Sequence, residues 1–523
     1  MAHCKTGQVT MTRTKNTFRN TAVSVGGYLL IFLFGIAIRK LFLENIDFEN
    51  LGYEGLFSTI FFVLNTLDLG AGSVLLYRLY RDLSGDKEAS ARRTIQIFAR
   101  LYRWVALIIL LAGIGAMPFL RYLIRDSVSD WGYVYTIYLI QLLGSVGIVY
   151  LTYYRLLLQA SQRLSDAVTI ETIVRIAFQV SKAFIIVYTK DYILYTIAAV
   201  MCNLLSAILV ARRSRARFPA LFAREDVTGW YRDKRFRSEL LSASVLRFTQ
   251  TAYYLTDTIL VSAVLGIRAV ALYGNYTMIG ASILVGFKSI LHPVSGSAGN
   301  YANTEDPVAC YRMFRMIDLI GFSIASFVFA SLCTLFQPVV SFLYGTQYLL
   351  PFSFVVVYGL YCYLFLKDNS IRVFRETLGK YADQRNWALS AACANIVFSL
   401  LGIRLWGITG VLTGTVLSAL LTQIGDYTVA CRYRFFQPLH RNLLRSYGFL
   451  LLAFAEMALT VLLSWNLPVS IGGIALRCLL CLIIPNAINL ILFRKTDAFQ
   501  QMLSYWEKMV RFVFKRAEDG ADD

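Results

Sequence analysis

Charge and histidine are what this sequence has least of. Only 16% of the 523 residues are charged, while 57% are hydrophobic; soluble domains carry about 25% charged and 45–50% apolar residues. A chain so poor in charge cannot clothe itself in a hydrated surface, which excludes a soluble globular protein and implies an integral membrane protein. The three histidines, His3, His292 and His440, are scattered, so no metal-ligand constellation and no cofactor is expected. The nine cysteines all fall in apolar spans or on the side assigned below to the cytoplasm, which leaves no outer disulfide. Cys478 and Cys481 form a C-x-x-C, but inside an apolar run and without a nearby histidine, so they read as packing residues. Long outer loops are also missing. The acids Glu44, Asp47 and Glu49 lie in a first outer loop too short to build an active site, and their sign follows topology, so the chain reads as a non-enzyme.

What is present is a series of apolar runs long enough to cross about 30 Å of hydrocarbon, roughly 20 residues each. They lie near 19–42, 51–78, 95–120, 131–154, 168–188, 191–211, 239–265, 270–297, 314–336, 351–373, 386–403, 406–430, 443–464 and 470–493. The fold class is therefore all-α and polytopic, with about 14 transmembrane helices. The segment before the first run is polar and basic and lacks a small-residue cleavage site, so that run is expected to remain as an anchor.

The net charge of +19 invites a nucleic-acid reading, which the position of the charges rejects. With the N-terminus placed inside, about three quarters of the Lys and Arg fall on the cytoplasmic side, as the positive-inside rule requires. The segment ARRSRARFPALFAREDVTGWYRDKRFR is strongly basic, whereas the outer loop PVVSFLYGTQYLLP has no Lys or Arg. Both termini are expected in the cytoplasm.

The organisation follows: a cytoplasmic segment 1–18, a six-helix bundle 19–211, a basic linker 212–238, a second six-helix bundle 239–430, helices 13 and 14 over 443–493, an amphipathic surface helix 497–516 and an acidic tail 517–523. The surface helix rests on the stripe Phe499, Leu503, Trp506, Val510 and Val513. The bundles echo each other at one offset, which sets Arg155 over Arg375, Leu158 over Leu378 and Tyr53 over Tyr273. An even number of helices per half gives parallel repeats, as in some secondary transporters, with a ligand expected between the halves.

Ionisable residues inside spans are costly and usually face a cavity or a partner. In the fifth span Glu171, Arg175, Gln179 and Lys182 fall at about 0°, 40°, 80° and 20° around the helix, on one arc. The seventh span has a similar stripe carrying Arg247, with Asp257 at its edge, and the eighth carries Lys288 ahead of Pro293, where a kink is expected. Arg and Lys suit phosphate oxygens, so a hydrated cationic cavity for a ligand with an anionic head is expected. The competing reading pairs Arg175 with Glu171 and lets Lys182 snorkel outward. Glu456 and Arg477, at similar depth on the last two spans, read as a structural pair. Asp68, near mid-depth in LNTLDLGAGSVLLYRLY, either titrates or pairs with an interior cation.

Several stretches, in order, are similar to the Wzx-type oligosaccharide flippases of the superfamily that also holds multidrug and toxin extrusion transporters and the lipid II flippase. They are NLGYEGLFSTIFFVLNTLDLGAGSVLLYRLY, SGSAGNYAN, FRETLGKYADQRNWALSAACANIVFSL and LWGITGVLTGTVLSALL. The resemblance covers most of residues 16–435 and looks Gram-positive-like. It implies two six-helix bundles plus two helices working by alternating access as a monomer in a bacterial cytoplasmic membrane. The implied substrate is an undecaprenyl-diphosphate-linked oligosaccharide, turned to the outer leaflet for cell-surface polysaccharide, with glycosyltransferases and a polymerase as partners. On this reading Arg175, Lys182, Arg247 and Lys288 hold the diphosphate, and Asp68, Glu171 and Asp257 serve ion coupling or charge pairing. A cation-coupled multidrug exporter of the same superfamily is the alternative.

Overall fold

The computed structural model describes residues 34–505 and 507, apart from 69, 85–87, 127, 224–226, 228–233, 305 and 379–380. Among the described residues every extended element is helical. Nine helices or helix runs among them are long and apolar enough to cross a membrane. Their lipid-facing sides are legible as stripes of exposed leucine and isoleucine, such as Leu107, Ile108, Leu111 and Ile114 on one helix and Leu479, Leu482, Ile483 and Leu490 on another. Contiguous apolar surface of this extent belongs in a bilayer rather than in water.

Two compact units divide the chain, Met1–Gly274 and Asn275–Asp523. The first contains α1 (34–45), α2 (Glu49–Asn65), α3 (Ala71–Ser84), α4 (Glu88–Ala116), the short α5 (Leu120–Leu123), α6 (Trp131–Ala160), α7 (Leu164–Tyr188), α8 (Tyr192–Arg217), α9 (Lys234–Leu265) and the first turns of α10 (Ile267–Thr304). Asp130 caps α6 by accepting from Gly132 N, and Asp191 caps α8 by accepting from Ile193 N and Leu194 N. The core of this unit is aromatic: Tyr138 of α6 meets Phe57 of α2 edge-on at 5.2 Å and Phe61 at 5.1 Å. On α9, Glu239 pairs with Arg78 of α3 at 2.9 Å. The expected linker 212–238 begins as the last turn of α8 and a 3-10 turn, Pro219–Phe222.

The second unit contains the rest of α10, then α11 (Pro307–Tyr344), α12 (Phe352–Lys367), α13 (Asn369–Thr377), α14 (Tyr381–Trp406), α15 (Ile408–Ala430), α16 (Leu439–Ser464), α17 (Ile471–Phe493) and α18 over 497–505. At 38 residues, α11 is about 57 Å long, so it must project from the hydrocarbon. It starts with Asp306 as cap and Pro307 at its first position, and it ends at Gly345, whose φ of 106° most side chains avoid. Phe314, Phe374, Tyr427 and Phe435 build the core beside it. Where α14 crosses α15, Gly402 and Gly410 meet backbone to backbone, and a Cβ on either would overlap the other's carbonyl. This crossing gives the glycine-spaced LWGITGVLTGTVLSALL its physical reason.

Three sequence expectations change in detail. The second span, expected as one run over 51–78, breaks into α2, a 3-10 turn at Thr66–Asp68 and α3, because Gly70 takes a φ of 67°. The tenth, expected over 351–373, changes helix at Asp368. The helix of the eighth span continues through Pro293 to Thr304. The proposed surface helix 497–516 is helical over 497–505, and beyond 507 it lies outside the described residues.

Candidate functional site

The fifth span, α7, is the element on which sequence polarity and structure meet. Ile173, Val180 and Phe184 are exposed on it and lie at roughly 200°, 180° and 220° from Glu171 around the helix. That is the lipid-facing stripe. The arc carrying Glu171, Arg175, Gln179 and Lys182 points the other way, so the polar groups do not face hydrocarbon.

The charges on this arc are not mutually cancelled. Glu171 Oε1 accepts from Arg155 Nε of α6 at 2.9 Å, so the acid one turn from Arg175 is taken by another helix. Arg175 is exposed and makes no hydrogen bond or ion pair among the described residues. The i+4 pairing considered above is therefore overturned. Lys182 is half-buried, its ammonium 5.4 Å from the ring centre of Tyr195 on α8, a cation–π contact that orients the charge without neutralising it. Cys202 of α8 lies within electrostatic reach of both cations. The first unit thus holds two cations on one arc of α7, an exposed Arg175 and a half-buried Lys182, with no carboxylate bonded to them among the described residues, which suits a phosphate or other anionic group.

Asp68 has a local task. Its Oδ1 accepts from Gly70 N at 2.9 Å, an Asx-type turn that fixes the break between α2 and α3. Asp257 is half-buried on α9. Arg247 on α9 and Lys288 on α10 have helical backbones, and their side chains lie outside the described residues. Glu171, Arg175 and Lys182 are brought together with Arg155, which sequence reading had assigned to the loop end of the fourth span.

A second charged cluster, in the second unit, was missed. Lys367, with none of its side chain exposed, lies 3.1 Å from Asp318 of α11 and donates to Tyr427 and Ser446 at 2.7 Å each. Arg445 of α16 donates to the other oxygen of Asp318 at 2.8 Å, and Ser370 donates to the first at 2.9 Å. Beside it Gln423 donates to Asp368, and Arg375 pairs with Asp426 at 3.2 Å. Three acids meet three bases across α11, α12, α13, α15 and α16. A buried cluster this balanced holds helices in register and leaves little charge for a ligand. The signal was available: Asp318, Lys367, Asp368 and Asp426 all sit in or at the ends of apolar runs.

Glu456 and Arg477 do not form the expected pair. Arg477 donates to the carbonyls of Pro468 and Leu467 at 2.9 and 2.5 Å, closing the α16–α17 turn, because those free carbonyls lie nearer than the carboxylate. Among the described residues no group of three metal-ligating side chains exists.

The fold is shared with solved transporters. The lipid II flippase MurJ in an inward closed conformation matches with a TM-score of 0.68 at 13% identity, over 90% of this chain and 99% of that one. An inward-facing multidrug resistance MATE family transporter of the MOP superfamily matches at 0.61 and 16% identity, over 78% and 98%. A MOP superfamily transporter from Pyrococcus furiosus, for which a reversed polarity of the binding pocket is described, matches at 0.53 and 15% identity, over 78% and 96%. No protein-family model and no curated protein matches the sequence. The chain has the polytopic fold of MOP-superfamily transporters.

Proposed function

We propose that this chain is a flippase that carries a polyprenyl-diphosphate-linked oligosaccharide from the inner to the outer leaflet of a bacterial cytoplasmic membrane by alternating access. The observation that carries the reading is Arg175, on the polar arc of α7 and left without an ion pair among the described residues because Arg155 holds Glu171. Two cations on one helix arc, Arg175 and Lys182, attract a dianionic diphosphate and repel the organic cations a drug exporter would carry. Arg247 and Lys288 are proposed for the same anionic head on sequence grounds alone. Sugars would meet Tyr and Asn side chains, while the polyprenyl tail stays in lipid.

The likeness in fold supports a lipid carrier in one further respect. The MurJ match extends over 90% of the chain and the MATE match over 78%, so the lipid carrier accounts for more of this architecture. Glycosyltransferases would supply the substrate and a polymerase would consume it. Directional bias would come from ion coupling, with Asp68, Glu171 and Asp257 the proposed acids, of which Glu171 is bonded to Arg155 and Asp68 to Gly70. The experiment is flipping of a fluorescent polyprenyl-diphosphate oligosaccharide in proteoliposomes, read by quenching of the label in the outer leaflet. Arg175→Ala with Lys182→Ala should abolish it; undiminished flipping, or export of a cationic dye in its place, would refute the reading.

A further inference from the structure

Glu456 is the most isolated acid among the described residues. It lies in the middle of α16, none of it is exposed, and neither carboxyl oxygen has a hydrogen-bond partner. The helices that meet here, α16 and α11, also pack through ring pairs, Phe449 stacked on Phe322 at 4.4 Å and Phe454 edge-on to Phe329 at 5.1 Å. An ionised carboxylate in such a place has neither water nor counter-charge to stabilise it.

The hydroxyl hydrogens nearby are directed elsewhere. Ser326 of α11 lies beside the carboxyl without bonding to it; its hydroxyl donates to Ser323 O and accepts from Asn489 Nδ2 of α17 at 3.3 Å. Thr460 donates to the main-chain oxygen of Glu456 rather than to its side chain. Asn489 Oδ1 is itself a buried acceptor without a donor. Three acceptor oxygens on two helices, both of Glu456 and one of Asn489, therefore share one deficit, a hydrogen to donate.

The charged groups on the packed helices are committed elsewhere. On α17, Arg477 is held by Pro468 and Leu467. On α11 and α12, Asp318 and Lys367 are bound to each other and to Arg445. On α15, Asp426 is paired with Arg375, and Tyr427 accepts from Lys367. Tyr363 of α12 is the titratable group within electrostatic reach of Glu456, and a phenol does not neutralise a carboxylate.

We propose that Glu456, with Ser326 and Asn489, is a proton-binding site in which the carboxyl is carried neutral and supplies the missing donor between α16, α11 and α17. The site is distinct from the cations of α7, and its test does not depend on which substrate is carried.

The test is infrared spectroscopy of the full-length protein in lipid, read at the carbonyl stretch of protonated carboxylic acids. The wild type should show such a band at neutral pH that shifts on deuteration and is missing from Glu456→Gln. Exchanging sodium for choline should leave it unchanged. Asn489→Leu, which keeps the acid and removes an acceptor, should move the band to higher frequency and so decides the matter even if Glu456→Gln does not fold. Thermal unfolding provides the second readout: wild-type stability should decline as pH rises, since the folded state holds a proton the unfolded chain has released, and Glu456→Gln should lack that decline. No wild-type band at neutral pH would overturn the proposal. A band that vanishes on adding sodium would overturn it in favour of a metal ion.

Discussion

Arg155 Nε lies 2.9 Å from Glu171 Oε1, and this bond between α6 and α7 sets the charge of the α7 arc. Were Arg155 absent, Glu171 would stand at the i, i+4 position from Arg175, where opposite charges on a helix pair readily.

Arg155→Ala should therefore impair a transport site it does not line. Released Glu171 turns to Arg175 and competes with an anionic ligand, and a loss of about 1.4 kcal/mol there lowers affinity about tenfold. Adding Glu171→Gln to Arg155→Ala should restore flipping. Transport rates and ligand affinity in proteoliposomes check both, and a double variant no better than the single one would count against the competition.

The Asp318–Lys367–Arg445 cluster should behave as structure. Asp318→Asn leaves the buried Lys367 ammonium without its carboxylate and should cost about 3–5 kcal/mol of stability. Replacing all three members, Asp318→Leu with Lys367→Met and Arg445→Met, should recover most of that loss, because apolar side chains need no compensation. Thermal melts of purified protein in detergent distinguish the two variants.

At the α14–α15 crossing, Gly410→Val should prevent folding in the native arrangement, since its Cβ alone meets the backbone of Gly402. Size-exclusion profiles of a fluorescent fusion should show aggregate in place of the monodisperse peak. Gly448→Val, on α16 with open space around it, should leave the profile unchanged.

Asp68→Asn separates turn-making from proton traffic. Asparagine keeps the side-chain acceptor for Gly70 N and removes the charge, so the turn survives at a cost within about 0.5 kcal/mol, as Asp and Asn are comparable in such positions. Flipping should persist in Asp68→Asn and fall in Asp68→Leu, which loses the acceptor. Equal loss in both would instead make the carboxyl a titrating group.

Much of the architecture follows from the sequence alone. Long apolar runs between short polar segments leave a polytopic helical protein as the outcome, because a backbone in hydrocarbon must satisfy its hydrogen bonds within each segment. The arc on α7 was equally legible, since helical geometry fixes which residues share a face whatever the helix packs against. Helix breaks were less so: LNTLDLGAGSVLLYRLY reads as one span, and only Gly70 at positive φ with Asp68 bonded across it divides the run.

Partnership between helices was decided by tertiary structure. Sequence spacing offered Glu171 to Arg175 as the competing reading and paired Glu456 with Arg477, because it registers neighbours along a helix or at equal depth. Folding gave Glu171 to Arg155, turned Arg477 onto the carbonyls of Leu467 and Pro468, and brought Lys367 into contact with Asp318. An ion pair forms where two side chains are carried within a few ångströms of each other, and that distance depends on how helices cross, which no single helix encodes.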